Sequence, residues 1–504
     1  MADEASEPAR CDVRIVGPEQ PEDPALTRVS GRCGVVALAG IRCNGATTLQ
    51  FDKTDPMRSK PPPQPVADDL FRQELVNIIN MRHERVRLAG LIDWSVFDRE
   101  FGAQFASPTG RPALPTRLVA GLLYLKHAYA LSDEQVVERW VENPYFQHFC
   151  GERCFQHEMP CDPSSLVRWR KRIGEAGVEW LLTQTIEAAK ASGTISAASL
   201  STIVVDTTVR LKAIAFPTDS RLLNRARAQL AQAAQAQGIE LRQSYARLGP
   251  QAERQAGRYA HARQFRRMRG QLRKLRGWLG RVIRDVERKA GDDARHGSLA
   301  DKLALARRLH EQRRESEGKL HAPEAECIAK GKARTPFEFG VKVSVAVTAA
   351  EGLVVGMRSM PGNPYDGHTL DQALEQVEIL TSKAPAIVLA DRGYRGVTPS
   401  NPATRLILSH TRRLPAELNR LLKRRQVVEP VIGHMKSDGL LGRNWLKGEI
   451  GDALHAVMCG AGHNLRLILA RLRALYCALI AWLAGESEFR TRSSQAAQLV
   501  AAGA

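Results

Sequence analysis

The spacing of apolar residues predicts helices over the first patterned region of the chain. From Asp68 to about Gly193, apolar positions recur every three or four residues, which is the period of one face of an α-helix. Ser132 precedes an acidic first turn and is a typical helix N-cap. We therefore predict an all-α domain at residues 67–195.

The pattern then changes to short β-branched runs. The run Leu200–Thr208 predicts a buried strand with Asp206 at its carboxyl end, and P-A-I-V-L-A-D predicts a second buried strand that ends at Asp391. Between them, F-E-F-G-V-K-V-S-V-A-V-T and L-V-V-G-M-R-S-M flank a turn and predict a β-hairpin. These strands and their flanking helices predict an α/β unit at residues 196–220 and 332–450.

A long helical tract separates the two parts of this unit. Residues 221–331 are rich in Ala, Gln, Leu and Arg, and residues 221–300 carry 19 Lys and Arg against 6 Asp and Glu. An excess of one sign repels itself unless a polyanion is bound, which favours an arm lying along a nucleic-acid backbone. A solvated helical hairpin is the alternative.

The two chain ends lack a folding pattern. Residues 1–66 are rich in Pro, Gly and small polar residues and are predicted to be disordered, as are residues 486–504. Met57 resembles an independent start, so the extension is either a regulatory tail or upstream sequence read from an early start codon. Residues 451–485 are predicted to form C-terminal helices.

Length and charge narrow the class of protein. The chain has 504 residues, which favours two or three domains, and its net charge is +19 with a pI near 9.8. Such a balance indicates a polyanionic partner, most often nucleic acid. The N-terminus lacks a secretory signal, and the apolar run from Leu475 is about half as long as a membrane span. We therefore predict a cytoplasmic protein without a membrane partner.

A group of cysteines and histidines raises a zinc site as an alternative feature. The nine cysteines of the chain are scattered, which fits a reducing compartment better than a disulfide framework. No second Cys-x-x-Cys pair accompanies the group, so cysteines that pack in the core are the main interpretation. Its members are His148, Cys150, Cys154, His157 and Cys161.

A basic helix in the N-terminal region is a candidate DNA contact. Pro163 opens the helical segment, and a basic helix after several short helices is typical of helix-turn-helix DNA readers. The alternative is a plain helical bundle with a solvated charged face. The cations of the segment are Arg168, Arg170, Lys171 and Arg172.

Three carboxylates carry the candidate chemistry. Parallel strands that end together would place Asp206 and Asp391 side by side, and the helical run V-V-E-P-V-I-G-H-M-K adds Glu429. Oxygen ligands of this kind suit two Mg²⁺ ions in phosphodiester chemistry. Turn or capping roles for the aspartates and a surface ion pair for Glu429 are the alternatives. The cations placed to hold phosphates are Arg392, Arg395, Arg425 and Lys436.

Five motifs together resemble the DDE transposases of bacterial insertion sequences, over about Phe71 to Leu475. The family's Tyr-Arg-Glu-Lys signature is matched at Arg425, Glu429 and Lys436, whereas its Tyr position is occupied by Leu422. The motifs are I-V-V-D-T-T at Asp206, P-T-D-S-R-L-L at Pro217, P-G-N-P-Y-D-G-H-T-L at Pro361, A-D-R-G-Y-R-G at Asp391 and E-P-V-I-G-H-M-K at Glu429.

The resemblance implies an α/β RNase H-like catalytic core, a mixed sheet with flanking helices that follows an all-α DNA-binding domain and is interrupted by the helical insertion. It implies that Asp206, Asp391 and Glu429 bind Mg²⁺, or Mn²⁺ in its place, and that the freed 3′-hydroxyls of the element attack target DNA. The implied partners are double-stranded DNA, as terminal inverted repeats and as target, and a second copy in a DNA-bound homodimer at the bacterial nucleoid.

Two other functions remain open at the level of sequence. A nuclease of the same fold would need the same three acids but would not join DNA strands. An inactive remnant of a mobile element would bind DNA as a regulator, which the intact set of three acids disfavours.

Overall fold

The sheet is built around one long β-branched strand. The computed structural model describes residues 73–105, 113–214, 218–290, 297–311, 326–329, 337–409, 411 and 415–483. The predicted extension at residues 1–66 and the predicted tail at 486–504 lie outside these residues. The strands are β1 Thr202–Lys212, β2 Glu326–Ala329, β3 Phe337–Thr348, β4 Val354–Met360, β5 Ile387–Ala390, β6 Arg405–Leu408 and β7 Arg443–Asn444.

Strand β1 lies at the centre of a sheet of mixed direction. The order across the sheet is β2-β3-β1-β5-β6, with β4 also paired to β3 and β7 also paired to β1. β3 runs antiparallel to β1 and to β4, whereas β5 runs parallel to β1 and β6 parallel to β5. The predicted hairpin and the predicted mixed sheet with flanking helices are confirmed.

The end predicted for the first strand is wrong. Asp206 lies in the middle of β1, which continues to Lys212 and pairs with β3 as far as Leu211 opposite Gly340. The residues after Asp206 are Thr207, Thr208 and Val209, and β-branched side chains favour a pleated, paired backbone over a turn. The strand therefore carries its carboxylate within the ladder instead of at its end.

The helices before β1 share a hydrophobic cluster with the sheet. Ser132 caps the helix Asp133–Glu142 as predicted, because its hydroxyl accepts a hydrogen bond from the Gln135 N–H at 3.1 Å. Leu122, in the helix Thr116–Ala128, packs in the same cluster as Ile203 and Val355 of the sheet. These helices are α1 Leu75–Ile78, α2 Glu84–Leu91, α3 Ser95–Phe105, α4 Thr116–Ala128, α5 Asp133–Glu142, α6 Pro144–Phe149 and α7 Pro163–Ala191.

The helices between β1 and β2 have a hydrophobic cluster of their own. Leu230, Leu279 and Leu303 lie in that cluster and are almost fully buried. The tract is therefore a packed helical bundle, where the sequence suggested either an arm or a solvated hairpin. Its helices are α8 Asp219–Ala236, α9 Leu248–His261, α10 Phe265–Ala290 and α11 Gly297–Glu311.

The helices after β4 complete the packing around the sheet. The last of them is 36 residues long and packs against α4, α7 and β4. No helix in the described part of the chain combines the length and apolar content that a membrane crossing requires. These helices are α12 Leu370–Thr381, α13 Ala416–Lys423, α14 Val428–Ser437 and α15 Gly448–Leu483.

A buried ionic network fixes the far end of β1 to α15. The Arg210 guanidinium donates to the Asp452 carboxylate and to its backbone carbonyl, each at 2.7 Å, and the Lys212 ammonium donates to the same carboxylate at 2.9 Å. The Asn444 amide of β7 donates to it at 2.6 Å. Since all four side chains are buried, Asp452 compensates two cations that water cannot reach.

We expect Asp452→Asn to lower the free energy of unfolding by about 3–5 kcal/mol, because it leaves two buried cations without a counter-charge. The measurement is a urea titration followed by circular dichroism. The matched control is Asp438→Asn, whose carboxylate is more than half exposed and pairs with His434 at the surface. The control should change the free energy by less than about 1 kcal/mol, and equal losses in the two variants would contradict the prediction.

A second internal ion pair joins α5 to α7 and α4. The two terminal nitrogens of Arg170 donate to the two Asp133 oxygens at 2.7 and 2.6 Å, and Lys126 donates to Asp133 at 2.8 Å. Burial favours a higher pKa for Asp133, but the two cations outweigh it and hold its pKa at about 2. The folded state therefore binds this proton more weakly than the unfolded chain does.

This depressed pKa predicts a loss of stability in acid. The contribution of Asp133 is present above its ordinary pKa of 3.8 and disappears as the pH falls towards about 2. Between pH 5 and pH 2 the native protein should lose about 2 kcal/mol more unfolding free energy than Asp133→Asn does. Urea titrations at several pH values measure this difference, and parallel pH profiles for the two proteins would contradict it.

Candidate active site

The register of two parallel strands places Asp391 beside Asp206. Thr202 of β1 pairs with Ile387 of β5, and Val204 pairs with Leu389. Strand β5 ends one residue before Asp391, and continuing the same register brings Asp391 opposite Asp206. Burial raises the pKa of Asp206, and the negative charge of Asp391 adds to this rise, as expected of neighbouring carboxylates.

Helix α14 covers the face of the sheet to which both aspartates belong. Val204 and Leu389 lie in one hydrophobic cluster with Val428 of α14. Because side chains alternate along a strand, the residues two positions later, Asp206 and Asp391, share that face. Glu429 follows Val428, so the third predicted acid belongs to the helix that covers the two aspartates.

Arg425 interacts with both Glu429 and Asp206. Its guanidinium donates to a Glu429 oxygen at 3.3 Å, as the spacing of one helical turn predicts, and its charge opposes the burial that raises the pKa of Asp206. The side chain of Glu429 is 64% exposed and that of Arg425 only 20%. In the described residues, no group of three or more His, Cys, Asp or Glu side chains is arranged to hold a metal ion. The structure thus joins Asp206 to Asp391 but leaves Glu429 apart.

The environment of Asp206 makes its carboxylate costly to ionise. Burial raises its pKa to about 6, the Thr207 N–H and Arg425 oppose this rise, and Asp391 and Asp366 add to it. Carboxylates that are desolvated and close together are compensated by a bound cation, and their oxygens are the ligands that Mg²⁺ prefers. In donor chemistry and charge, Asp206 and Asp391 therefore fit a divalent cation.

Asp366 is an acid of the site that the sequence analysis missed. It accepts hydrogen bonds from the Thr207 hydroxyl and the Lys342 ammonium, each at 2.9 Å. Asp366 lies in the family motif P-G-N-P-Y-D-G-H-T-L, in which no site residue was predicted. The residues that hold the Asp366 carboxylate, Thr207 and Lys342, lie on two strands far away in the chain, so the local sequence pattern could not indicate them.

The turn after β5 presents two of the predicted phosphate-binding cations. The Asp391 carboxylate accepts the Gly393 N–H at 2.8 Å, which caps a single helical turn over Arg392–Tyr394. Arg392 and Arg395 are exposed, whereas Tyr394 is buried and its hydroxyl points into protein. Lys436 lies in the last turn of α14 and is half-buried.

The predicted DNA contact by Arg170 is wrong. Its side chain is only 4% exposed, and both terminal nitrogens are bound to Asp133. Arg170 therefore joins α7 to α5, and its side chain is not accessible for contact with DNA. The exposed cations of the same helix segment are Arg168, Lys171 and Arg172.

The cysteines of the considered zinc site lie in the interior. Cys150, Cys154 and Cys161 are buried, and burial raises the pKa of the Cys150 thiol. A thiol in apolar surroundings behaves as a small hydrophobic side chain. The structure therefore fits the packing interpretation of these residues.

Comparison with known proteins adds the family. Residues 73–172 match the family described as transposase domain (DUF772), and residues 308–399 match the family described as transposase DDE domain. The second match includes Asp391 but not Asp206 or Glu429. No solved structure matches the chain.

A relative from Rhizobium meliloti, described as uncharacterized protein ORF8 in nfe locus, is 57% identical over 203 residues. Those residues are 40% of this chain and 98% of the relative. Both matched families are transposase domains, and the second, an RNase H-like DDE domain, covers strands β2 to β5 of the mixed sheet. The chain therefore belongs to the DDE transposases of insertion sequences.

Proposed function

We propose that this transposase cuts DNA at the terminal inverted repeats of its element and transfers the freed 3′-hydroxyls to target DNA. The proposed metal-binding residues are Asp206, Asp391 and Glu429. The observation that supports it most directly is the parallel register that sets Asp391 beside Asp206 under the helix of Glu429. When bound, Mg²⁺ ions, or Mn²⁺ in their place, would activate the attacking oxygen and stabilise the leaving oxygen.

The Arg425–Glu429 ion pair suggests how the third acid would join the other two. Glu429 is bound to Arg425 at 3.3 Å, and an ion pair whose carboxylate is largely exposed is worth little. A DNA phosphate is a strong bidentate partner for a guanidinium and would compete for Arg425. Glu429, released from the pair, would then be able to turn towards the aspartates.

The proposed phosphate contacts lie in two regions of the chain. Around the aspartates they are Arg392, Arg395, Arg425 and Lys436. In the N-terminal helical region they are Arg168, Lys171 and Arg172, which would help to recognise the terminal repeats. Two DNA ends must be brought together for transposition, so we propose a homodimer in the DNA complex, acting at the bacterial nucleoid.

Helix α10 supplies a further proposed DNA-binding surface. It carries ten Lys and Arg against two acids, and at a rise of 1.5 Å per residue its 26 residues span roughly 39 Å, about one turn of duplex DNA. Two sets of arginines repeat at helical spacing, and each set lines a surface groove. These sets are Arg266, Arg269, Arg273 and Arg276, and Arg281, Arg284 and Arg288.

The metal-site assignment predicts that Asp206→Asn, Asp391→Asn and Glu429→Gln each lower the rate of DNA cleavage by at least about 100-fold, because each removes a charged ligand. DNA binding should persist. Single-turnover cleavage of a terminal-repeat duplex and a gel-shift titration measure the two quantities. Glu417→Gln, an exposed acid on α13, is the control. A normal cleavage rate in any of the three variants would remove that residue from the proposed site.

The joining reaction separates the proposed function from the two alternatives. Native protein incubated with pre-cleaved ends and a plasmid target should give joined products in Mg²⁺. Cleavage without joined products would favour the nuclease, and DNA binding without cleavage would favour the inactive remnant.

The α10 surface predicts an effect on affinity that depends on salt. Replacing Arg266, Arg269 and Arg273 together with Ala should weaken DNA binding and reduce the slope of log K against log salt by about 2 to 3, since each phosphate contact contributes about 0.9. The control is Arg307→Ala on α11, whose guanidinium is bound to Glu287. An unchanged slope in the triple variant would show that DNA does not lie along this face.

A further inference from the structure

Asp366 is held from two strands of the sheet. Its Oδ1 atom accepts a hydrogen bond from Lys342 Nζ on β3 and another from Thr207 Oγ1 on β1, each at 2.9 Å. Lys342 Nζ also donates to the Pro364 carbonyl at 2.7 Å, and its side chain is only 13% exposed. The carboxylate is therefore fixed in place and its charge is compensated.

The second oxygen of Asp366 faces the turn that carries Asp391. A Cβ atom built on Gly393 would lie 2.8 Å from Asp366 Oδ2 and 2.9 Å from Asp391 Oδ1. The Gly393 N–H meanwhile donates to Asp391 Oδ1 at 2.8 Å. There is thus no room for a side chain at Gly393 between the two carboxylates, and the Gly393 N–H orients the carboxylate of Asp391.

Further contacts bind the two segments together. The Tyr365 hydroxyl donates to the Arg395 carbonyl at 3.2 Å and so joins the two segments. Within the first segment, the Thr369 hydroxyl donates to the Asp366 carbonyl at 2.7 Å. The segment that contains Asp366 therefore supports the turn after Asp391 through side-chain and backbone contacts. A turn that is held in this way presents its carboxylate in one direction.

Asp366 approaches the aspartates from the opposite side of the sheet. Thr207, its partner on β1, is adjacent to Asp206, and adjacent residues of a strand point to opposite faces. Asp366 thus contacts the residues next to the two acids: the hydroxyl of Thr207 beside Asp206, and the turn that follows Asp391. From this position Asp366 would act on the two acids through these neighbouring residues.

We propose that Asp366 is a positioning residue of the active site: held by Lys342 and Thr207, it fixes the turn after β5 and so orients Asp391 towards a divalent cation. This inference rests on the proposed metal site. Groups that orient metal ligands typically contribute 10–100-fold to metal affinity.

The test measures Mn²⁺ binding to the full-length protein without DNA, by electron paramagnetic resonance. Asp366→Ala should weaken binding about 10–100-fold, and Thr207→Val, which keeps the shape of the side chain but removes one hydrogen bond, should weaken it by a smaller factor. Cleavage of DNA should then need more Mn²⁺ for half-saturation but approach the native rate at saturation. The matched control is Asp371→Ala, since Asp371 also accepts two hydrogen bonds, from the N–H and the hydroxyl of Ser400.

The outcomes separate this inference from the proposed function. Native Mn²⁺ affinity in a folded Asp366→Ala would overturn the positioning role. If circular dichroism shows that this variant does not fold, native affinity in Thr207→Val would overturn it instead. Mn²⁺ binding that is absent from the native protein would overturn the inference, since Asp206 and Asp391 would then not hold a cation before DNA binds. Binding that is undiminished in Asp206→Asn would overturn the proposed metal site as well.

Discussion

Three carboxylates, those of Asp206, Asp391 and Asp366, lie close together in this protein, and the residues around β1 offset the repulsion between them. Asp206 and Asp391 lie on one face of the sheet and Asp366 approaches from the other. Asp206 and Asp391 each accept a hydrogen bond from a nearby backbone N–H, those of Thr207 and Gly393, whereas Asp366 is paired with the Lys342 ammonium on β3. Arg425 adds a positive charge from the segment that leads into α14. Folding therefore assembles the compensation for charges that would otherwise repel one another.

The same strand also joins the catalytic region to the rest of the molecule. Its first half contributes Ile203 and Val204 to two different hydrophobic clusters, one shared with the N-terminal helices and one with α14. Its second half is bound through Arg210 and Lys212 to Asp452 at the start of α15. Because β1 is packed on both faces and anchored beyond Asp206, the backbone that carries the first aspartate has little freedom to move.

Local pattern was sufficient for the strands and the hairpin, since β-branched runs and turn residues report directly on backbone preference. It placed the end of β1 wrongly because Asp was taken to stop a strand that pairing with β3 in fact continues. The local pattern assigned Arg170 to DNA binding, which is wrong because its side chain is buried in an ion pair with Asp133, 37 residues earlier in the chain. It overlooked Asp366 for the same reason, as Thr207 lies 159 residues away. The DDE assignment of Asp206, Asp391 and Glu429 came from motifs, and their roles remain proposals.

The position of the helical bundle inside the catalytic region bears on how the chain reaches its fold. β1 pairs with β3 across a separation of about 140 residues, and closing so long a connection is slow and entropically costly for an unstructured chain. The bundle has a hydrophobic cluster of its own, separate from those of the sheet, and its helices make mostly local contacts. If the bundle forms before the sheet, β1 and β3 are brought close together by a folded connection instead of an unstructured one. A segment that we propose to bind DNA would in this way also help β1 and β3 to find each other during folding.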